Sequence, residues 1–157
     1  MASLEYENKY YDLGYKSVVG MDEAGRGPLA GPLVIACVVL PRGYENKDID
    51  DSKKISEKKR EALFEEIQKV ATYIGVKIID EPTIDKLDIY HATKWGMEEL
   101  IKEMKVECDV VLVDAMKIEL KDKVVVPLIH GDALSTSIAA ASIIAKVTRD
   151  HIMYELD

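Results

Sequence analysis

The chain has 157 residues, 48% of them hydrophobic, and a formal net charge of −8. That length suits one domain with a single core, and no apolar run is long enough to span a bilayer. Residues 1–15 lack the basic start and the apolar stretch of a secretory signal, so we expect a cytoplasmic protein with no membrane partner. The acidic balance argues against nonspecific binding of nucleic acid. It does not exclude a nuclease, because metal ions reverse the local field of a carboxylate site.

The first half of the chain predicts three strands and one helix. A strand at residues 16–21 precedes a Gly/Pro-rich turn at 24–32. The continuous apolar run at 33–40 is typical of a central strand that is buried on both faces. Ser56 is suited to cap a helix that runs through residue 69, and the alternation of apolar residues at 71–79 predicts a third strand.

The second half predicts two helices and two strands. One long helix begins after Pro82 and runs to about residue 105, a strand follows at 109–113, and a final helix covers 135–157. The last strand, at 123–129, contains Pro127, which cannot donate to a ladder, so we expect it at a sheet edge. The order β-β-α-β-α-β-β-α predicts an α/β protein with a mixed sheet covered by helices.

Acidic residues stand at the ends of three predicted strands. Asp22 and Glu23 follow the first, Asp114 follows the fourth and Asp132 follows the fifth. If the strands that carry Asp22 and Asp114 are adjacent and parallel, their carboxylates converge at one sheet edge. Convergent carboxylates suit Mg²⁺ or Mn²⁺, and two such ions about 3.5–4 Å apart stabilise both oxygens in phosphodiester displacement. An Asp after a strand is also a common turn residue, so spacing alone leaves both interpretations open.

Four sequence words occur in an order that resembles the type 2 ribonuclease H family, ribonuclease HII. They are GMDEAGRGPLAGP at 20–32, DDSKKIS at 50–56, LVDAMKI at 112–118 and HGDALSTSIAAASIIAKVTRD at 130–150. The resemblance implies the ribonuclease H-like fold, a five-stranded mixed sheet flanked by helices. It also implies the identity of the metal-binding catalytic carboxylates, namely Asp22, Glu23, Asp114 and Asp132.

The resemblance further implies an endonuclease activity. Members of the family hydrolyse the phosphodiester on the 5′ side of a ribonucleotide within a duplex and leave 3′-hydroxyl and 5′-phosphate ends. The expected substrates are RNA–DNA hybrids and duplex DNA that contains ribonucleotides, and the expected cofactors are two Mg²⁺ or Mn²⁺ ions. We accordingly expect a monomer that acts in ribonucleotide excision repair and DNA replication.

Two parts of the resemblance concern substrate contacts. Gly25, Arg26 and Gly27 match the family's G-R-G loop, which recognises the ribonucleotide. Glycines let the backbone approach the sugar closely, and the 2′-hydroxyl is the group that distinguishes RNA from DNA. Lys53, in the D-S-K word, resembles a family position near the substrate phosphates.

Other basic residues have alternative interpretations. Lys146 and Arg149, one turn apart on the last helix, are further candidates for contacts to the substrate backbone. Residues 58–60, KKR, are expected to form a solvated helix face, because charge runs on helices are commonly exposed. We expect His130 to be a loop residue and not a ligand, since the carboxylate set already suits the metal.

The sequence departs from the family pattern at its end. The chain stops at Asp157, within the last predicted helix, whereas family members continue to a tyrosine that stacks on the sugar beside the cut site. We therefore expect residues 1–157 to be a single catalytic domain that is C-terminally truncated relative to the family, binds substrate weakly and cleaves poorly.

Two alternatives to a ribonuclease stay open. One is another two-metal nuclease on the same fold, such as a junction resolvase, which would not require a 2′-hydroxyl beside the cut. The other is a noncatalytic module that retains a metal or nucleic-acid site. The intact carboxylates argue against the noncatalytic module.

Overall fold

The computed structural model describes residues 1–26 and 30–156. Within them, five strands form one mixed sheet in the order β3-β2-β1-β4-β5. The strands are β1 (Val18–Ala24), β2 (Leu33–Val39), β3 (Tyr73–Ile79), β4 (Val110–Asp114) and β5 (Val124–Leu128). The helices are α1 (Glu5–Asp12), α2 (Glu57–Val70), α3 (Glu81–Leu87), α4 (Ile89–Lys102) and α5 (Thr136–Leu156). The expected α/β class, with a five-stranded mixed sheet flanked by helices, is confirmed.

Strand β1 occupies the centre of the sheet. It pairs antiparallel with β2 and parallel with β4, while β4 pairs parallel with β5. The apolar run predicted as a central strand at 33–40 forms β2, which lies between β3 and β1 in the interior of the sheet, and all seven β2 residues are buried, as expected. The strand with Pro127 lies at a sheet edge, as predicted.

The two faces of the sheet carry separate apolar clusters. Alternate residues of β2 point to opposite faces. One set (Val34, Ala36, Val38) packs with α2 and with the small residues at the start of α5. The other set (Leu33, Ile35, Cys37) packs with Met97, Leu100 and Ile101 of α4. The sheet is therefore held between α2 and α5 on one side and α4 on the other.

Helix α5 lies directly on β1. A Cβ atom added at Gly20 would overlap the backbone of Ser137 and lie 2.6 Å from the backbone nitrogen of Ile138. The α5 residues 139–141 are three alanines, and all of them are fully buried. This absence of side-chain bulk lets the helix backbone approach the strand that carries Asp22.

Helix α1 is an element that the sequence did not predict. Its mean composition is polar, but Tyr6, Tyr10 and Tyr11 pack against an apolar cluster that includes residues of β4 and β5. Glu7 is 3% exposed, and its Oε2 accepts hydrogen bonds from Ser135 Oγ (2.9 Å) and Ser137 N (2.8 Å). Packing of these tyrosines and the long-range hydrogen bonds of Glu7 therefore stabilise α1.

The single long helix predicted after Pro82 is wrong, because the chain forms α3 and α4 there. The break is at Asp88, whose φ of 66° is incompatible with a continuous α-helix. The Asp88 carboxylate accepts a hydrogen bond from His91 N at 2.9 Å and so caps α4. None of the helices in the described part of the chain is long and apolar enough to cross a membrane.

The close approach of α5 to β1 predicts a large cost for a side chain at residue 20. Gly20→Ala is expected to lower the free energy of unfolding by about 3 kcal/mol or more, because overpacking must move the helix backbone. Gly43→Ala is the control: nothing lies within 4 Å of its Cβ position and its φ is +80°, so only backbone strain of about 1–2 kcal/mol is expected. Urea denaturation measures both, and equal losses would contradict the close packing.

Candidate metal centre

Three carboxylates from distant parts of the sequence meet at one end of the sheet. Asp22, Asp114 and Asp132 each offer an oxygen, and these oxygens lie within 4.8 Å of one another. Asp22 lies in β1, Asp114 is the last residue of β4, and Asp132 lies in a 3₁₀ turn, Gly131–Ala133, that leads into α5. The parallel pairing of β1 and β4 brings the first two together, as the strand-end argument requires.

The turn that carries Asp132 is fixed to the end of β4. The backbone nitrogen of Gly131 donates to Asp114 Oδ1 at 3.1 Å. A Cβ atom at Gly131 would lie 2.7 Å from Ile138 Cδ1, so the turn also packs closely on α5. His130 precedes the turn in a left-handed conformation with φ 56°, and it lines the site without joining the group of three carboxylates.

Glu23 stands apart from this group. Adjacent residues of a strand point to opposite faces, and Glu23 is not among the three carboxylates that gather. Its Oε1 lies 3.7 Å from Arg26 Nη1. Its Oε2 is buried and has no hydrogen-bond partner among the described residues. Glu23 nevertheless lines the same cavity as Asp22, so the fourth predicted carboxylate is a neighbour of the group.

Burial and mutual repulsion oppose ionisation of the cluster. Burial, followed by the charges of Glu23 and Asp114, raises the pKa of Asp22 well above its usual range. Burial also raises the pKa of Asp114, although the hydrogen bond from Gly131 opposes this shift. Burial, with the neighbouring charges of Asp114 and Asp51, raises the pKa of Asp132 to about 6. Burial and mutual repulsion thus oppose the negative charge on these carboxylates. A hard divalent cation fits such a set of oxygen donors, because its positive charge favours the ionised forms.

Asp51 is a further carboxylate that the sequence analysis missed. Its negative charge raises the pKa of both Asp114 and Asp132. Its own Oδ1 accepts a hydrogen bond from the backbone nitrogen of Lys53 at 3.0 Å, which caps the 3₁₀ turn Ser52–Lys54. The signal available in the sequence was an Asp directly before Ser-Lys-Lys, a typical capping position.

The carboxylates line a cavity of about 560 Å³ together with most of the predicted substrate-contacting residues. Those residues are Gly25, Arg26, Lys53, Lys146 and Arg149. The remaining one, Gly27, lies outside the described residues. Ser52 Oγ and Ser142 Oγ are 3.2 Å apart and connect the Lys53 turn to α5. Basic and acidic groups therefore share one cavity.

Arg60 does not lie on the solvated helix face that was predicted for residues 58–60. Lys58 and Lys59 are exposed, as predicted for a solvated helix face, but Arg60 is partly buried. Its Nη1 donates to the carbonyl oxygens of Ser52 (3.1 Å) and Ile55 (2.8 Å). Arg60 therefore fixes the turn that presents Lys53.

Arg149 also differs from a freely exposed phosphate contact. It is 7% exposed. Its Nε donates to Pro32 O at 2.9 Å, and its Nη2 donates to Ala30 O at 3.2 Å. These two donors are occupied by the Gly/Pro-rich loop, whereas Lys146 keeps a side chain that is 44% exposed.

Comparison with known proteins identifies a family for this arrangement. Residues 19–157 match the family model described as Ribonuclease HII. The chain is 48% identical over 154 residues to ribonuclease HII of Ruminiclostridium cellulolyticum, covering 98% of this chain and 60% of that protein. It is 51% identical over 153 residues to ribonuclease HII of Listeria monocytogenes serotype 4b, covering 98% and 58%. The chain thus spans less than two thirds of the length of these curated relatives.

Solved structures show the same fold. Ribonuclease H2 from Pyrococcus horikoshii superimposes with a TM-score of 0.81 at 28% identity, covering 90% of this chain and 75% of that one. Ribonuclease HII from Archaeoglobus fulgidus, in its complex with PCNA, gives a TM-score of 0.76 at 30% identity, covering 90% and 76%.

The raised pKa of Asp132 predicts how pH affects the metal-free chain. The folded-state pKa of about 6 exceeds the ordinary value of an Asp carboxyl group. The protonated Asp132 therefore contributes to the free energy of unfolding fully below about pH 4, and this contribution is lost as pH rises through 6. Asp132→Asn is therefore expected to raise the free energy of unfolding by about 1–2 kcal/mol at pH 8 and by little at pH 4. Urea denaturation in EDTA measures this difference.

The control for this pH effect is Glu65→Gln, which changes an exposed carboxylate on α2 and should not show the same pH-dependent gain. Added Mg²⁺ is expected to reverse the order at pH 8, because a ligand that binds the ionised cluster stabilises the wild-type chain more than Asp132→Asn. A gain for Asp132→Asn that is equal at both pH values would contradict the repulsion within the cluster.

Proposed function

The chain belongs to the ribonuclease HII family, and we propose that it forms the metal-dependent core of an endoribonuclease. The observation that carries the proposal is the gathering of Asp22, Asp114 and Asp132 within 4.8 Å. The proposed substrates are RNA–DNA hybrids and duplex DNA with embedded ribonucleotides. Cleavage on the 5′ side of the ribonucleotide would leave 3′-hydroxyl and 5′-phosphate ends and would serve to remove ribonucleotides during DNA replication and repair.

The donor set supports a proposal of two Mg²⁺ or Mn²⁺ ions. Asp22, Asp114 and Asp132 would hold the ions, with Glu23 as the neighbouring fourth ligand. Such ions supply activation of water and stabilisation of charge on the leaving oxygen. The chain's own contribution is to fix the carboxylates in place: Asp22 through β1, Asp114 through its hydrogen bond from Gly131, and Asp132 through the turn before α5. Rigid placement of charged ligands limits the reorganisation needed during reaction.

Basic residues around the same cavity support the binding of a polyanion despite the net charge of −8. Lys53 is exposed and Lys146 is partly exposed, and both line the cavity beside the carboxylates. We assign these two side chains to phosphates of the substrate backbone, since phosphate contacts position a duplex without reading its sequence. Arg26, on the loop after β1, is the basic group nearest in sequence to Asp22 and Glu23.

The loop after β1 is the proposed reader of the ribose. Gly25 has a φ of 105°, a conformation that strongly favours glycine. Gly25 directs the chain from the carboxylate-bearing strand into the loop. The proposed position for recognition of the sugar is therefore next to the proposed metal centre. A contact to the 2′-hydroxyl there would give the selectivity for RNA that separates this activity from other nucleases on the fold.

Loss of one carboxylate predicts loss of cleavage without loss of folding. Asp22→Asn is expected to lower the cleavage rate by about 1,000-fold or more, because it removes a negative charge where a divalent cation is needed. Its apo stability should be equal or higher, since the repulsion around a buried carboxylate is relieved. The assay uses a DNA duplex with one ribonucleotide and Mg²⁺ or Mn²⁺, and Glu65→Gln, which should cleave normally, is the control.

Substrate variants separate the proposal from its alternatives. A duplex with a 2′-O-methyl group at the ribonucleotide and an all-DNA duplex should both resist cleavage. Cutting of an all-DNA junction at the same rate would favour a resolvase. Metal binding with no cleavage of any duplex would favour a noncatalytic module, and normal activity of Asp22→Asn would refute the site assignment.

A further inference from the structure

Arg149 connects α5 to the loop between β1 and β2. Its guanidinium donates to two carbonyl oxygens, those of Pro32 and Ala30, which lie 117 and 119 residues away in the sequence. Both acceptors belong to the segment that leads into β2. Hydrogen bonds from a charged donor are stronger than neutral ones, so this pair fixes the end of the loop against the helix.

Two glycines make room for this side chain. A Cβ atom at Gly25 would lie 2.7 Å from Arg149 Nε, and one at Gly31 would lie 2.6 Å from Met153 Sδ and 3.1 Å from Arg149 Nη2. Both glycines have positive φ, 105° and 126°. Gly25 was expected to be small so that the backbone could approach a sugar. In the structure, its missing side chain also leaves the space that the guanidinium occupies.

The charge of Arg149 has no ion-pair partner within 4.0 Å in residues 1–26 and 30–156. A buried cation without a carboxylate is costly unless hydrogen bonds and nearby negative potential compensate. The carbonyl oxygens of Pro32 and Ala30 supply such hydrogen bonds, and the Arg149 side chain lines the same cavity as Asp22 and Glu23. Arg149 therefore lies between residues 30–32 and the cavity that contains the carboxylates.

We propose that Arg149 is a positioning residue for ribonucleotide recognition: its guanidinium, held between Gly25 and Gly31, fixes residues 30–32 against α5 and thereby the position of Gly25 and Arg26 at the wall of the metal cavity. This role rests on the proposed function, because it assigns the selectivity for RNA to a loop conformation set by α5. The competing role is a direct contact of Arg149 with a substrate phosphate, in the manner of Lys146.

The Lys variant distinguishes the two roles. Arg149→Lys keeps the positive charge but lacks the planar fork that reaches two carbonyl oxygens at once. If Arg149 positions the loop, Arg149→Lys should behave like Arg149→Gln. If Arg149 contacts a phosphate, Arg149→Lys should retain most of the affinity. Lys146→Gln is the matched comparison on the same helix, and it should weaken binding to all duplexes alike and reduce the salt dependence.

The first measurement is the affinity for two fluorescent duplexes, one all-DNA and one with a single ribonucleotide, by anisotropy with Ca²⁺ in place of Mg²⁺. The preference is the affinity for the ribonucleotide duplex divided by the affinity for the all-DNA duplex. We expect this ratio to be about tenfold lower in Arg149→Lys and Arg149→Gln than in the wild-type chain. Retention of the wild-type preference by Arg149→Lys overturns the positioning role. An equal loss for both duplexes, with a smaller salt slope, overturns it in favour of a phosphate contact.

The second measurement is hydrogen exchange of the peptide that covers residues 24–33, together with Mn²⁺ affinity and thermal unfolding. Faster exchange in both Arg149 variants, with Mn²⁺ affinity unchanged and normal exchange in Lys146→Gln, is expected. Unchanged exchange in Arg149→Lys overturns the proposal. If the wild-type chain shows no preference for the ribonucleotide duplex, the proposed function fails as well, whereas a wild-type preference that survives in Arg149→Lys refutes the positioning role alone.

Discussion

The direct contact of α5 with β1 at Gly20 is the constraint on which the rest of the structure depends. With no side chain at Gly20 and three alanines on the helix, the two backbones approach closely. The helix begins at Thr136, shortly after the turn that carries Asp132, and the strand carries Asp22, so this packing contact brings the segments with the two carboxylates together. The same helix carries Lys146 and Arg149 to the cavity wall. The packing of α5 on the sheet therefore also determines where these residues of the site lie.

Repulsion among the clustered carboxylates lowers the stability of the metal-free protein. Asp22 and Asp132 are buried and Asp114 is half-buried, and burial raises the pKa of each of these neighbouring carboxyl groups. The surrounding apolar clusters on both faces of the sheet supply the stability that tolerates this repulsion. Asp51 adds negative charge beside the group, whereas Lys53 offsets part of it. An ion that binds there replaces repulsion with attraction, so the same arrangement that weakens the metal-free fold strengthens the metal-bound one.

Sequence patterns predicted the strands of the sheet, because strand periodicity is a local signal. They predicted convergence of Asp22 and Asp114 only on the condition that the two strands are adjacent and parallel, and strand pairing is not a local signal. They did not predict α1, whose polar sequence is stabilised by contacts with distant strands, or the break at Asp88, where one unusual φ divides a periodic segment. Arg60 was interpreted as part of a solvated helix face and Arg149 as a contact to the substrate backbone, because helix position alone does not show the carbonyl oxygens that they contact. Several of the missed features depend on long-range hydrogen bonds, whereas the break at Asp88 depends on a local backbone conformation.

The contact between α1 and the start of α5 has a consequence for the order of folding. Ser3 forms an isolated parallel β-bridge with Ser135. Glu7 Oε2 accepts a hydrogen bond from Ser135 Oγ, which is 128 residues away in the sequence. Contacts so distant form only after the intervening chain exists, and closing such a loop is slow. During synthesis, Asp22 leaves the ribosome long before Asp132, so the nascent chain carries an incomplete set of carboxylates. The three carboxylates therefore come together only once Asp132 has joined the fold, so the proposed ion binding is coupled to formation of the native chain.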